Sequence, residues 1–270
     1  VPWLSRNIPL AGPQELSPWR RVALSAWPTV SDASVLGVVE LNAAPVLDYL
    51  GRECERTGAR IDPLHVVAKA LADTFRELPE INCVLRAGRL YRRRDVDIFF
   101  PVAMDRRGWD LSGVVVRDAD NLSVVEISRE LASASFRLRR AGDTGFSVKN
   151  RVLGRLLMRT AGFFLYTLNL WTPALGFPRN AFGSAAVTDL SHFGADFAFP
   201  PLLPIARLPL VVGVGAVAER YGADGKPEKF LRLGVVFDHR VIDGVYAGRI
   251  CHRIRAIFAN PEGHLSRSPK

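Results

Sequence analysis

The chain has 270 residues, 48% of them apolar and 23% charged, and a formal net charge of +9. That balance excludes a disordered or low-complexity chain and fits one large domain or two small ones around a packed core. The positive charge suits a phosphate-bearing small molecule, an acidic domain, nucleic acid or a membrane surface, and equally a basic surface with no partner.

Nucleic acid is not expected, because no recognition motif is present and aromatics do not interleave with a basic stripe. Cys54, Cys83 and Cys251 are far apart, odd in number and form no CxxC pair. They read as reduced thiols of a cytoplasmic protein, with no disulfide framework and no metal site. Val1 to Leu10 has no long apolar core, so no export leader is read there.

Residues 1–34 are rich in Pro, Ser and Trp and read as an N-terminal arm with a short helix. Ser34 to Leu41 alternates loosely and is valine-rich, which predicts a strand. Asn42 is placed to cap a helix from about Ala43 to Arg56, with Val46, Leu47, Leu50 and Cys54 on one face and Gly58 at its end. Asp62 and Pro63 open the clearest helix, with Leu64, Val67, Leu71, Phe75 and Leu78 at three- and four-residue spacing and Pro79 as the stop. Short strands are expected over Ile81–Leu85, Arg89–Arg92, Val96–Met104 and Val114–Val116. Ser123 and Glu126 form a capping box for a helix to about Arg140, with Ile127, Leu131, Ala134 and Leu138 on its inner face.

Residues 141–183 have a different character. Ser147 is placed to cap a long apolar helix from Val148 to about Leu170, with Arg151, Arg155 and Arg159 recurring on one side. Uninterrupted apolar sequence covers only Thr160 to Leu175, too little for a membrane span beside so charged a half. The expected use of this helix is packing on a neighbouring subunit, with contact to an anionic membrane surface through 148–170 as the alternative. Beyond it, strands are expected over Gly183–Leu190, Leu210–Val217 and Leu231–Phe237, and a last helix over Val245–Ala259 buries Ile250, Ile254, Ile257 and Phe258. Strands and helices alternate with hairpin-like steps, so one layered α/β (α+β) domain over 35–270 is expected, carrying the 141–183 segment as an insertion.

Between the last strand and the last helix stands Asp238-His239-Arg240-Val241-Ile242-Asp243-Gly244. A histidine at a strand-to-helix junction is well placed for proton transfer, because an unperturbed imidazole titrates near neutrality. This block resembles the active-site signature of the catalytic domain of dihydrolipoamide acyltransferases, which share their fold with chloramphenicol acetyltransferase. Leu78-Pro79-Glu80-Ile81-Asn82 is similar to the family's Pro-Glu-Leu-Asn turn. Val114 to Asp120 is similar to its strand and Arg-Asn-Ala-Asp turn, and Ile8-Pro9-Leu10 with Arg20-Arg21 to its entry arm. Gly108 to Gly113 departs from the family's Gly-Leu-Val-x-Pro pattern and is about two residues longer.

The resemblance implies a chloramphenicol acetyltransferase-like fold, a mixed sheet with flanking helices and an active site at a trimer interface. It implies His239 as the base that deprotonates a coenzyme A or dihydrolipoyl thiol. Ala186-Val187-Thr188-Asp189-Leu190-Ser191 aligns with a Thr-Ile-Ser-Asn-Leu-Gly-like stretch, which makes Thr188 the oxyanion donor and Ser191 a second candidate. Asp243 would hold the loop by pairing with Arg20 or Arg21, Asp238 and Arg240 would be structural, and His192 a surface or interface residue.

Coenzyme A or acyl-CoA is then a substrate, and no contact to it is named. The expected partners are further copies of the chain in multiples of three, a lipoyl-carrying domain or protein, and the other components of a 2-oxoacid dehydrogenase complex. No lipoyl domain, Ala/Pro linker or subunit-binding domain is read in the 270 residues, and a stand-alone acyltransferase is favoured over one whose other domains lie outside this sequence. The alternatives are a non-catalytic cage subunit of the same fold and an acetyltransferase for a small hydroxyl compound.

Overall fold

The computed structural model describes residues 33–86, 89–104, 111–141, 180–203, 206–222 and 225–265. The chain divides into Val1–Ala33 and Ser34–Lys270, and every element below belongs to the second unit. In order, the elements are β1 (Ser34–Asn42), α1 (Ala44–Thr57), α2 (Pro63–Glu77), β2 (Cys83–Arg86), β3 (Arg89–Arg92), β4 (Ile98–Ala103), β5 (Leu111–Val116), α3 (Val124–Ala141), β6 (Ala185–Asp189), β7 (Leu210–Val214), β8 (Ala218–Tyr221), β9 (Pro227–Asp238), α4 (Gly244–Ala259) and α5 (Pro261–Leu265).

Among the described residues the main sheet has seven strands, in the order β1-β9-β7-β6-β4-β5, with β8 beside the start of β9. β6 runs parallel to β4 and β7, and the remaining pairs are antiparallel. β2 and β3 form a separate hairpin. The sheet is therefore mixed.

Strand alternation sorts the side chains to two faces. Ala185 and Val187 of β6, Leu210, Val212 and Val214 of β7, and Leu231, Leu233, Val235 and Phe237 of β9 share one large core with α1, α2 and α4. α2 lies deepest, with every residue from His65 to Phe75 buried. Its start is over-determined, because Asp62 accepts from the Leu64 amide and His65 accepts from the Asp62 amide. The opposite face carries a smaller cluster around Ala186, Ala206, Leu208 and Val211.

On that second face Gly213 of β7 and Gly234 of β9 lie in register. The strap leading from β6 to β7 passes directly over them. A Cβ on Gly234 would collide with the Ala198 carbonyl, and one on Gly215 with the Asp196 carbonyl. Only glycine lets a second backbone lie this close to a sheet.

A buried carboxylate anchors the chain where it re-enters the core ahead of β6. Asp97, 2% exposed, accepts from Arg117 (2.6 Å), Asn180 (2.7 Å) and the Asp118 amide (3.1 Å). The segment expected to form a long apolar helix, 148–170, lies outside the described residues.

The structure differs from the sequence reading at element ends. The helix after β1 has Ala43 at its cap position, with Asn42 accepting from the Ala44 amide one step earlier. β8 and the start of β9 carry mostly polar, exposed residues, and α5 is only five residues long, so no apolar period marks them. What holds β8 to β9 is the ladder itself together with Arg220, which pairs with Glu228 and lies over the Phe230 ring. Leu131, Ala134 and Leu138 on the inner face of α3 are only half-buried.

Candidate active site

The histidine at the end of β9 is held from both sides. Asp238 donates its amide to the Pro209 carbonyl (2.9 Å), and its own carbonyl accepts from the Val241 and Ile242 amides. Its carboxylate accepts from the Arg240 amide (2.9 Å), Nε (2.9 Å) and Nη2 (2.6 Å). Ile242 is wholly buried and pins the far side of the turn. His239, the residue between these fixed points, is left exposed at the tip.

Asp243 then opens α4. It sits at the N-cap with extended backbone, and its carboxylate accepts from the Val245 amide (2.9 Å) and the Tyr246 amide (3.1 Å). Asp243 thus holds the start of α4. Its expected partners Arg20 and Arg21 lie outside the described residues. Burial, and after it the Glu80 carboxylate, push the Tyr246 phenol above its ordinary value. This contact joins the turn after α2 to the first turn of α4.

Behind the turn, Cys83 is buried at the start of β2. Burial pushes its thiol up, and Asp238 adds to that while Arg93 opposes it. Arg93 is itself so enclosed that burial lowers its pKa to about 10.

Thr188 lies near the end of β6, half-buried and paired in register with Gly213. Alternation places it on the second face of the sheet, with Ala186. The chain then turns through a short 3-10 segment, Ser191–Phe193. Asp189 organises that turn, accepting from the Ser191 amide (2.8 Å) and the Ser191 hydroxyl (2.6 Å) on Oδ1 and facing His192 Nδ1 at 2.6 Å on Oδ2. The hydroxyl of Ser191, the second candidate oxyanion donor, is committed to that carboxylate. Sequence reasoning missed this cluster, although Asp189, Ser191 and His192 within four residues were its visible signal.

The structure does not bring Thr188 and His239 of one chain together. Thr188 pairs with Gly213, and Gly213 with Gly234, so Thr188 is level with Gly234 and two strands away from β9. His239 lies five residues beyond Gly234. At about 3.3 Å per residue and about 4.8 Å per strand, the two are roughly 19 Å apart, at opposite ends of the sheet. Both can serve one reaction centre only if two chains contribute to it.

Among the described residues no group of three or more His, Cys, Asp or Glu is arranged to hold a metal ion, and no helix is long and apolar enough to cross a membrane.

A family model described as "2-oxoacid dehydrogenases acyltransferase (catalytic domain)" matches residues 27–143 and 181–266. The chain belongs to this family. The gap between the two matched stretches falls within the 141–183 segment that the sequence marks as an insertion. Curated relatives include the dihydrolipoyllysine-residue acetyltransferase components of the pyruvate dehydrogenase complex from Pseudomonas aeruginosa, 26% identical over 211 residues, and from Azotobacter vinelandii, 25% identical over 238 residues. The matches cover 76% and 86% of this chain but 32% and 31% of those proteins, so the chain spans about a third of their length.

Among solved structures, the cubic core of the pyruvate dehydrogenase multienzyme complex superposes with a TM-score of 0.64 at 20% identity, covering 95% of this chain and 98% of that one. Chloramphenicol acetyltransferase superposes with a TM-score of 0.52 at 11% identity, covering 88% and 94%. The acyltransferase fold expected from the His239 block is the fold observed.

Proposed function

We propose that this acyltransferase-family chain moves an acyl group between coenzyme A and a dihydrolipoyl or other thiol, in an assembly of trimers. The observation that supports it most is the exposed His239, clamped at the strand-to-helix turn of a family member. In the solved Azotobacter vinelandii dihydrolipoamide acetyltransferase, the residues investigated for a role in the catalytic mechanism are a serine, a histidine and an asparagine four positions after that histidine. Here Asp243 stands four positions after His239 and Thr188 supplies the hydroxyl.

In this reading His239 accepts the proton of the attacking thiol. The thiolate attacks the thioester carbonyl, and the Thr188 hydroxyl of a neighbouring chain donates to the oxyanion that forms. The carbon–sulfur bond to the departing thiol breaks, and that sulfur takes the proton back from His239. Asp243, Asp238 and Arg240 hold the imidazole in place. The lipoyl group is carried by another domain or protein, and the net charge of +9 suits both the coenzyme phosphates and an acidic carrier.

The test is transfer from acetyl-CoA to dihydrolipoamide by the purified oligomer. The wild-type protein forms acetyl-dihydrolipoamide, and the folded His239→Ala protein is slower by about 10²–10⁴-fold. Equal rates for the two proteins would end this assignment. Assembly with no transfer at all would favour the cage-subunit reading.

A further inference from the structure

We propose that the Phe99 ring sets the length of the acyl group this chain transfers, by closing one side of the strip of sheet that holds the acyl chain. This rests on the acyltransferase reading, which brings the thioester carbonyl to the Thr188 hydroxyl.

On the second face of the sheet a row of residues runs across the strands at the level of Thr188. Gly113 of β5 pairs with Pro101 of β4, Thr188 of β6 with Gly213 of β7, and Gly213 with Gly234 of β9. β4 and β6 are parallel and in register at Phe99 and Ala186. Two residues further on, Pro101 therefore comes level with Thr188 on the same face. The β4–β6 ladder ends at the Phe99–Ala186 pair, so Pro101 and Thr188 lie just past its end.

Most of this row is covered. The Leu190 side chain, the Ala198 carbonyl and Pro200 lie over Gly213, and the Ala198 carbonyl lies over Gly234. At the other end the tip of the Phe99 ring lies over Gly113, so close that a Cβ there would overlap it. Between these covers Pro101 is exposed and Thr188 half-buried. The open strip is about two strand spacings wide, or ~10 Å. Its floor is a proline and a threonine, apolar apart from one hydroxyl.

Phe99 is fixed in place. Phe182 meets it edge-on, with ring centroids 5.3 Å apart at 61°. Both rings pack on the cluster of Ala186, Ala206, Leu208 and Val211. Phe99 nevertheless remains half-buried, beside the uncovered strip. A flexible side chain there would turn aside and set no limit, whereas a ring wedged between Phe182 and glycine backbone cannot.

With the thioester carbonyl at the Thr188 hydroxyl, the strap blocks the direction toward β7. The acyl chain then runs over Pro101 toward β5, and its far end meets Phe99. Short straight chains fit this run and longer ones collide with the ring. A single methylene in such an apolar site is worth about 10–200-fold in selectivity.

The experiment measures kcat/KM for transfer to dihydrolipoamide by the intact oligomer, with acetyl-, butyryl-, hexanoyl- and octanoyl-CoA as donors. Phe99→Ala should raise the octanoyl-to-acetyl ratio by about tenfold or more over wild type, and the milder Phe99→Leu should raise it less. Gly113→Ala drives the ring off β5 and over Pro101, so it should lower the hexanoyl-to-acetyl ratio. The double variant with Phe99→Ala should follow Phe99→Ala, because no ring is left to displace. A ring that only covers the glycine would change stability and leave the chain-length profile as it was, and that result in both Phe99 variants overturns the proposal. Wild-type protein that transfers no acyl group from any donor would end the acyltransferase reading and this proposal with it.

Discussion

Asp238 and Arg240 reach around His239 to each other, with Arg240 Nη2 2.6 Å and Nε 2.9 Å from the Asp238 carboxylate. The Asp238 side chain is 11% exposed and Arg240 is 59% exposed, so the pair closes over a nearly dry carboxylate. Arg240→Ala leaves that charge without its guanidinium partner and should cost about 1–3 kcal/mol of stability. It should also lower kcat for thiol transfer, because the turn that presents His239 loosens. Urea unfolding and steady-state kinetics on the same preparation check both effects.

Thr188→Val removes a hydroxyl and keeps the branched shape that suits a strand. With Thr188 as the oxyanion donor, kcat falls by about a hundredfold or more while KM changes little, because the lost bond forms only in the transition state. Stability is expected to hold, since the half-buried position paired with Gly213 accommodates valine. Kinetics with varied acetyl-CoA separate kcat from KM.

Gly234→Ala places a methyl group against the Ala198 carbonyl. Backbone on both sides cannot yield as a flexible side chain would, so the strap over the sheet must lift. A loss of about 1–3 kcal/mol or more is expected, larger than for alanine at Gly37, where nothing lies within 4 Å. Thermal unfolding of the two variants in parallel gives the comparison.

The capping box of α3 sets a pH dependence. Hydrogen bonds from the Ser123 amide and then its hydroxyl hold the Glu126 carboxyl below its ordinary value of 4.5. A depressed carboxyl contributes stability above pH 4.5, and that contribution fades as pH falls through the folded-state value. Ser123→Ala should therefore cost about 1 kcal/mol near neutrality and progressively less in acid. Unfolding midpoints from pH 7 to pH 3 should show the gap narrowing, with the part due to the Glu126 amide bond to Ser123 Oγ remaining.

Much of this was legible in the sequence for identifiable reasons. The Asp62 cap, the three-and-four spacing after it, and Ser123 with Glu126 all encode helices through local hydrogen bonds and an apolar stripe. The His239 block marks its own strand-to-helix junction. β8 was not legible, because Ala218 to Tyr221 pair through backbone and charge, with no apolar alternation. The N-cap role of Asp243 follows from backbone geometry that only the fold sets. The Asp189–His192 contact depends on a tight turn that brings positions three apart face to face. The separation of Thr188 from His239 is a property of register across three strands, which no local pattern carries.

In the proposed mechanism one chain supplies His239 and its neighbour supplies Thr188. Subunit mixing tests it most directly, by exchanging His239→Ala with Thr188→Val protein and measuring acetyl transfer to dihydrolipoamide. Each variant alone is nearly inactive, but in an equal mixture about a quarter of the interfaces join an intact histidine to an intact threonine. Activity should climb to about a quarter of the wild-type rate on exchange. A mixture that exchanges subunits and stays as inactive as its components would contradict it.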